Sequence, residues 1–299
     1  MVLTPFDTAP QHGPRPLPLF LGLLRSETAA SPERRAAALA GLAAYQAAPR
    51  PRPRRPMPVI AHAGRAVLHD YGGDGPPVVF VPSLINPPLI LDMPYRRSLL
   101  RWLSRQGVRP LLVDWGTPSA QHRDQDMAQH IEEMLIPLLR SIGEPAALAG
   151  YCLGGTMAMA AAAAVPVRGL ALIAAPWRFS GFGAEAIARI ESLWNGAHET
   201  CDRLGLVPME VLQAGFWQLD PARTIAKYER FGRLAPASAA AKSFDAMEDW
   251  ANAGAPLTYA AGRQVFDDLF TADLPGSKRW RDRRWYLPPA SVCCPAGRR

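Results

Sequence analysis

One cysteine lies in a sequence context that could do chemistry. Cys152 has a glycine two positions away on either side, in Gly150-Tyr151-Cys152-Leu153-Gly154. This spacing fits a nucleophile elbow, a tight strand-to-helix turn in which the glycines let the strand and the helix pack closely. The start of the helix would favour the thiolate through its dipole, and the Leu153 N–H would point at an oxyanion formed there. The pattern predicts a nucleophilic thiol, and the alternative is a buried structural cysteine.

The segments around Cys152 predict the elements that must position it. Continuous apolar runs predict strands over 77–82, 109–115, 146–150 and 167–174, and amphipathic or alanine-rich runs predict helices over 96–106, 124–142 and 153–164. Two short strands around Ala63-Gly64 precede them. Strands that alternate with helices are typical of an α/β fold with a mostly parallel sheet and right-handed crossovers.

The composition changes along the chain predict four regions. Residues 1–57 form an N-terminal arm, expected to be irregular because prolines crowd it, with one helix over 31–48. Residues 58–176 form the α/β core, and residues 177–275 form a helical cap inserted after the fourth core strand. Residues 276–299 form a basic tail without apolar periodicity of either kind.

Charge and cysteine usage exclude several classes of function. The net charge is +7, but seven basic residues and one acidic residue lie in the tail, so the rest of the chain is close to neutral. We therefore expect no nucleic-acid partner. Four cysteines without metal-ligand spacing predict no disulfide framework, no metal site and a cytoplasmic location. The apolar run 17–24 does not resemble a signal peptide, and Pro166 and Arg168 interrupt the run 157–175, so we expect no membrane span.

Several segments together resemble one known family. Residues 60–275 are similar to polyhydroxyalkanoate synthases of the α/β-hydrolase superfamily, in the segments VPSLINPPLILDM (81–93), SLLRWLSRQGVRPLLVDWGTP (98–118), GYCLGGT (150–156), FDAMEDW (244–250) and FDDLFTADL (266–274). The resemblance implies that Cys152 attacks an (R)-3-hydroxyacyl-CoA thioester, that CoA leaves, and that a hydroxyl of another unit or of the growing polyester chain takes the acyl group. It implies no cofactor beyond the CoA of the substrate. In this superfamily the loop after the first core strand gives a second oxyanion N–H, here that of Ser83 or Leu84.

The resemblance also implies partners and a location. They are a homodimer or a helical partner subunit, and the surface of a polyester granule. Two alternatives stay open. One is an esterase or thioesterase that gives the acyl group to water, and the other is a non-catalytic protein that binds granules or a partner.

The family pattern breaks after the cap. The family carries its triad Asp and His in two late segments, and neither segment is found in this sequence. Only one histidine follows Cys152, so His198 is the one candidate for a replacement base; the six histidines are His12, His62, His69, His122, His130 and His198. The unpatterned tail indicates a truncated or frameshifted gene whose last strands are missing. We expect such a loss to leave one edge of the sheet uncovered.

Overall fold

A mostly parallel sheet organises the molecule. The computed structural model describes residues 13–51, 54–94 and 97–276. The six strands of the main sheet are β1 (Val59–Ala63), β2 (Ala66–Asp70), β3 (Pro77–Val81), β4 (Arg109–Asp114), β5 (Ala147–Tyr151) and β6 (Gly169–Ile173). Their order is β1-β2-β4-β3-β5-β6. The four strands β4, β3, β5 and β6 run parallel, whereas β2 pairs antiparallel with both β1 and β4. The predicted α/β fold class is confirmed.

Helices flank the sheet and form a separate layer over one end of it. They are α1 (Leu17–Glu27), α2 (Pro32–Ala47), α3 (Leu99–Ser104), α4 (Met127–Gln129, His130–Leu135 and Ile136–Arg140 in succession), α5 (Leu153–Ala164), α6 (Ala184–Leu204), α7 (Met209–Leu219), α8 (Pro221–Phe231), α9 (Ala239–Ala251) and α10 (Tyr259–Arg263, continued by Gln264–Thr271). The middle of α4 is a π-helix. Pro137 follows this stretch, and its missing N–H removes one i→i−4 bond, which accounts for the local widening.

The core lies on both faces of the sheet because strand residues alternate in direction. Val79 and Val81 of β3 pack into the larger cluster with Ile131 of α4 and Met157 of α5. Phe80 points to the other face, where it packs with Leu100 of α3. Since both faces of β3 are covered, its sequence is a continuous apolar run, as expected for a central parallel strand.

The N-terminal arm differs from the prediction. An irregular arm with one helix was expected, but two helices, α1 and α2, bury apolar residues against the cap in a second core; its members include Phe20, Leu24, Leu42, Tyr45, Trp217 and Tyr228. The prolines do not disrupt these helices because they lie in the first turns, where a missing N–H costs nothing. Tyr45 also donates a hydrogen bond to Asp249 of α9 at 2.7 Å.

The region predicted to be the cap, 177–275, is mostly helical, and it also contains two short antiparallel strands, Leu206–Val207 and Leu257–Thr258. Helices α6 to α10 run through this region, and their packing joins the main core through Ile190, Leu212 and Val265. The four proposed domain boundaries stay predictions. Positions 1–12, which include His12, and the tail from residue 277 onward lie outside the described residues. None of the helices that the structure describes is long and apolar enough to span a membrane.

Candidate active site

The turn that carries Cys152 has the geometry of a nucleophile elbow. Strand β5 ends at Tyr151 and helix α5 begins at Leu153, so Cys152 alone makes the turn. Its φ of 53° and ψ of −133° lie in a region that side chains rarely adopt. The turn is held by two backbone hydrogen bonds, from the Cys152 N–H to the Ile173 carbonyl at 2.9 Å and from the Gly155 N–H to the Cys152 carbonyl at 2.8 Å.

The flanking glycines are required by close backbone contacts. A Cβ at Gly150 would overlap the Cα of Gly155 across the turn. A Cβ at Gly154 would overlap the carbonyl oxygens of Val81 and Pro82 at the end of β3. These contacts are with backbone, which cannot move aside without shifting the sheet. The glycines therefore bring the cysteine turn against the end of the neighbouring strand, as the spacing predicted.

Cys152 is half-buried. Burial raises its pKa above the ordinary value, and hydrogen bonds from the Leu153 N–H and the Ser83 side chain offset this increase only in part. The Leu153 N–H at the helix end acts in the predicted direction, toward the thiolate, but burial has the larger effect. The reason is that loss of water around the sulfur disfavours the anion more than the nearby donors stabilise it.

The loop after β3 lies directly against this turn. Ser83 is buried, and its hydroxyl accepts a hydrogen bond from the Ile85 N–H at 3.1 Å. The Trp115 indole, at the end of β4, donates to the Pro82 carbonyl at 3.0 Å. These hydrogen bonds fix the path of the loop beside the cysteine turn. The role of the Leu153 and Ser83 backbone N–H groups stays a prediction, as does that of Leu84.

Helix α9 of the cap covers this loop. The Trp250 indole donates to the Pro87 carbonyl at 2.9 Å, and its ring lies edge-on to Tyr151, next to Cys152, with centroids 6.4 Å apart. The side-chain amide of Asn86 donates to the Ala251 carbonyl at 3.3 Å. The cap thus contacts both the loop after β3 and the residue that precedes Cys152.

No histidine in the described ranges hydrogen-bonds to the Cys152 thiol. His198, the candidate replacement base, is exposed on α6 and its ring packs on Trp194 with centroids 6.0 Å apart. His130 is buried in α4, where its Nδ1 lies 2.6 Å from the Asp126 carbonyl. Burial lowers the pKa of His130 to about 4, so it is neutral at pH 7. His122 contacts Ser119 at the start of a short helical turn. His122 and His130 thus each have a hydrogen-bond partner within their own segment.

Two features of the site were missed in the sequence. The Ser83 side chain acts to lower the pKa of the thiol, whereas only its backbone was considered; the one available signal was the hydroxyl in a loop of mostly apolar residues. Asp273 accepts hydrogen bonds from the N–H groups of Phe179 and Ser180 at 2.9 and 3.1 Å, which ties the end of the cap to the segment after β6. Nearly 100 residues separate these partners, so spacing could not indicate the contact.

The described residues also contain no group of three or more histidine, cysteine, aspartate or glutamate side chains that could hold a metal ion.

The sequence of this chain matches one protein-family model. The model of the alpha/beta hydrolase family matches residues 78–295 of the chain. This match includes all of β3 but its first residue, the cysteine turn and the whole described cap, and therefore most of the chain.

Curated relatives share part of the same region. The poly(3-hydroxyalkanoate) polymerase subunit PhaC of Haloferax mediterranei is 32% identical over 202 residues, which are 65% of this chain and 41% of the relative. The protein of the same name from Haloarcula marismortui is 29% identical over 218 residues, 70% of this chain and 46% of the relative. The chain thus spans less than half the length of either relative.

Among solved structures, the crystal structure of VinJ superposes with a TM-score of 0.39 at 16% identity, over 67% of this chain and 70% of VinJ. Because this TM-score is low, the family assignment depends on the sequence match and not on the superposition.

Proposed function

We propose a function for this chain from the premise that it belongs to the alpha/beta hydrolase family: it is an acyltransferase of the polyhydroxyalkanoate synthase type. Cys152 would accept the acyl group of an (R)-3-hydroxyacyl-CoA and pass it to a hydroxyl. The observation that carries the proposal is the turn at Cys152, where a partly exposed thiol stands between β5 and α5 in a left-handed backbone conformation. The printed names of the relatives support the choice of substrate class.

The first step exchanges one thioester for another. The Cys152 thiolate attacks the carbonyl carbon of the thioester, and the C–S bond to CoA breaks as the acyl–Cys152 bond forms. The proton lost by the Cys152 thiol is matched by the proton that the CoA thiolate takes up. Since both bonds are thioesters, the acyl enzyme stays reactive toward an alcohol. A hydroxyl of a second acyl unit then attacks this carbonyl, an ester forms, and its proton returns to the Cys152 sulfur.

The surroundings of the thiol predict slow chemistry. No carboxylate or imidazole of the described residues is among the groups that act on the Cys152 thiol. General acid–base assistance is typically worth about 10² to 10⁴ in rate. A chain without such assistance would turn over slowly by comparison with an enzyme that has a complete triad. Its activity would rise with pH, because only solvent hydroxide or buffer would remove the proton.

The proposal extends to partners and location. A growing polyester is insoluble, so the chain would work at the surface of a polyester granule in the cytoplasm. The exposed edge at β6 is the surface against which a second copy or a helical partner subunit could be mapped.

The test is to incubate the chain with 3-hydroxybutyryl-CoA, quantify free CoA by chromatography and measure the intact mass of the protein. We expect CoA release and a mass increase of one or more hydroxyacyl groups. The matched variants are Cys152→Ala and Cys201→Ala, since Cys201 is a buried cysteine of the cap. Cys152→Ala should abolish both signals, and Cys201→Ala should leave them unchanged.

The products distinguish the alternatives. Polymer or hydroxyacyl oligomers support the synthase, whereas free hydroxy acid with CoA release identifies a thioesterase that uses the same thiol. Equal CoA release by wild type and Cys152→Ala removes Cys152 from the mechanism. A folded wild-type chain that neither releases CoA nor is acylated, yet binds isolated granules, identifies a non-catalytic binding protein.

A further inference from the structure

Helix α9 carries two buried carboxylates in different states. Glu248 is 6% exposed, forms an ion pair with Lys227 at 2.7 Å and accepts a hydrogen bond from the Tyr228 hydroxyl at 2.8 Å. Asp245, one turn earlier, is 4% exposed, and its Oδ1 is buried without a hydrogen-bond partner among the described residues. Buried polar atoms in proteins nearly always have a partner, so this oxygen requires an explanation.

Arg50 acts on Asp245 electrostatically, but its hydrogen bonds go to other groups. Its Nε and Nη2 donate to Asp249 at 2.7 and 2.9 Å, and its Nη1 donates to the carbonyls of Tyr45 and Ala48. Burial raises the pKa of Asp245 to about 6, and Arg50 partly offsets this increase. The carboxyl is therefore mostly ionised at pH 7, and an ionised acceptor without a donor costs more than a neutral one.

Asp245 lines a cavity of about 310 Å³ between helix α9 and residues 49–51, which follow α2. Small-molecule sites have volumes of about 300 to 1,000 Å³, so the cavity is large enough for a small ligand. Its walls are mainly apolar, with Pro49 and Pro51 on one side and Pro236 on the other. Lys242 also lines the cavity; it is exposed and forms no ion pair among the described residues.

Asp245 and Lys242 together define the kind of molecule that fits this cavity. They are three residues apart on α9, so they lie on the same side of the helix with Cβ atoms about 5–6 Å apart. The Asp245 oxygen lacks a hydrogen-bond donor, and the Lys242 ammonium can bind an anion. A simple cation would be repelled by Lys242, and a simple anion by Asp245. A molecule with a hydroxyl and a carboxylate a few carbon atoms apart complements both groups, and its alkyl part would contact the prolines.

We propose that the cavity between residues 49–51 and helix α9 binds a short hydroxycarboxylic acid, whose hydroxyl donates to Asp245 and whose carboxylate pairs with Lys242. Binding is non-covalent and holds the end of the N-terminal arm against the cap. None of the residues that line this cavity belongs to the cysteine turn or to the loop after β3. The site therefore does not depend on whether Cys152 is a nucleophile.

The test uses the full chain with 3-hydroxybutyrate as the probe, followed by isothermal titration calorimetry and thermal unfolding. Butyrate lacks the hydroxyl, and 2-butanol has a methyl group in place of the carboxylate. We expect 3-hydroxybutyrate to bind and to raise the unfolding temperature, because a ligand of the folded state stabilises that state. Each analogue should bind at least about tenfold more weakly, as expected for the loss of one charge-assisted hydrogen bond.

Two variants test the contacts from the side of the protein. Asp245→Ala and Lys242→Met should each weaken binding of 3-hydroxybutyrate by about tenfold or more. Asp245→Ala should fold, because it removes a buried carboxylate that lacks a partner. The matched control is Asp74→Ala, at an exposed aspartate without an ion pair among the described residues, and it should bind like wild type.

Three outcomes would overturn the proposal. The first is a wild-type chain that does not bind 3-hydroxybutyrate at millimolar concentrations, which is expected if the Lys242 ammonium itself pairs with Asp245 in solution. The second is equal binding of butyrate and 3-hydroxybutyrate, which would mean that the hydroxyl is not recognised. The third is unchanged binding by folded Asp245→Ala, which would place the ligand elsewhere. The comparison of ligands uses wild type alone, so it decides the question even if a variant does not fold.

Discussion

Strands β5 and β6 are parallel neighbours of similar composition that lie in opposite environments. Leu148 of β5 is 1% exposed, whereas its register partner Leu170 of β6 is 40% exposed and Leu172 is 46% exposed. Strand β5 lies between β3 and β6, but β6 pairs with β5 alone in the part of the chain that the structure describes. The cysteine turn therefore follows a strand that is paired on both edges. Within the described residues β6 is therefore an open edge of the sheet; the loss of later strands that the sequence suggested stays a prediction.

The largest expected difference in the free energy of unfolding is between a substitution at Gly154, next to the cysteine turn, and one at Gly169, in β6. Gly154→Ala should lower the free energy of unfolding by more than about 4 kcal/mol or prevent folding, because its Cβ would overlap two backbone carbonyl oxygens. Gly169→Ala in β6 should change it by less than about 1 kcal/mol, since nothing lies near its Cβ position. Urea unfolding followed by circular dichroism measures both. Equal losses would contradict the packing described at the end of β3.

A leucine pair in register tests the same comparison at the level of side chains. Leu148→Ala should cost about 2–5 kcal/mol, because it removes a buried side chain and leaves a cavity. Leu170→Ala should cost less than about 1 kcal/mol, because its side chain is already in contact with solvent. The two variants change the same residue type at paired positions, so unfolding midpoints can be compared directly. A cost at Leu170 equal to that at Leu148 would show that β6 is covered.

The pH dependence of Cys152 alkylation tests how burial affects the thiol on the fully paired side of the sheet. Burial raises the pKa of Cys152, so its alkylation rate should keep rising through and above the pH at which an ordinary cysteine is half ionised. Below its midpoint the rate should fall about tenfold per pH unit. The same chain in 8 M urea provides the reference midpoint, which should lie lower. A native midpoint below the urea value would show that the helix end outweighs burial.

The smallest effect on stability is expected at the open edge. Leu172→Lys should change the free energy of unfolding by no more than about 0.5 kcal/mol, because the side chain is exposed. It should still reduce self-association at high concentration, since a lysine on an edge strand disfavours pairing with another chain. Light scattering measures this, with Leu204→Lys on α6 as the control at an equally exposed leucine. Scattering that falls equally in both variants would mean that general charge, and not β6, controls association.

Most of the core elements could be predicted because local patterns carry them. The strand β3 is an apolar run, and the turn at Cys152 is encoded by glycines at a spacing that only close backbone packing requires. The N-terminal arm could not be predicted correctly from proline content. Whether a proline disrupts a helix depends on its position within the helix, and α1 gains its burial from distant cap residues such as Trp217 and Tyr228.

By itself, the sequence determined the fold class and the position of the cysteine turn, because these depend on residues close together in the chain. Only the tertiary structure decided the state of the thiol. Burial depends on everything that packs around Cys152, and the loop of Ser83 lies beside the cysteine turn because β3 and β5 are adjacent, although almost 70 residues separate Ser83 from Cys152 in the chain. A pKa is set by such surroundings, which no local pattern specifies.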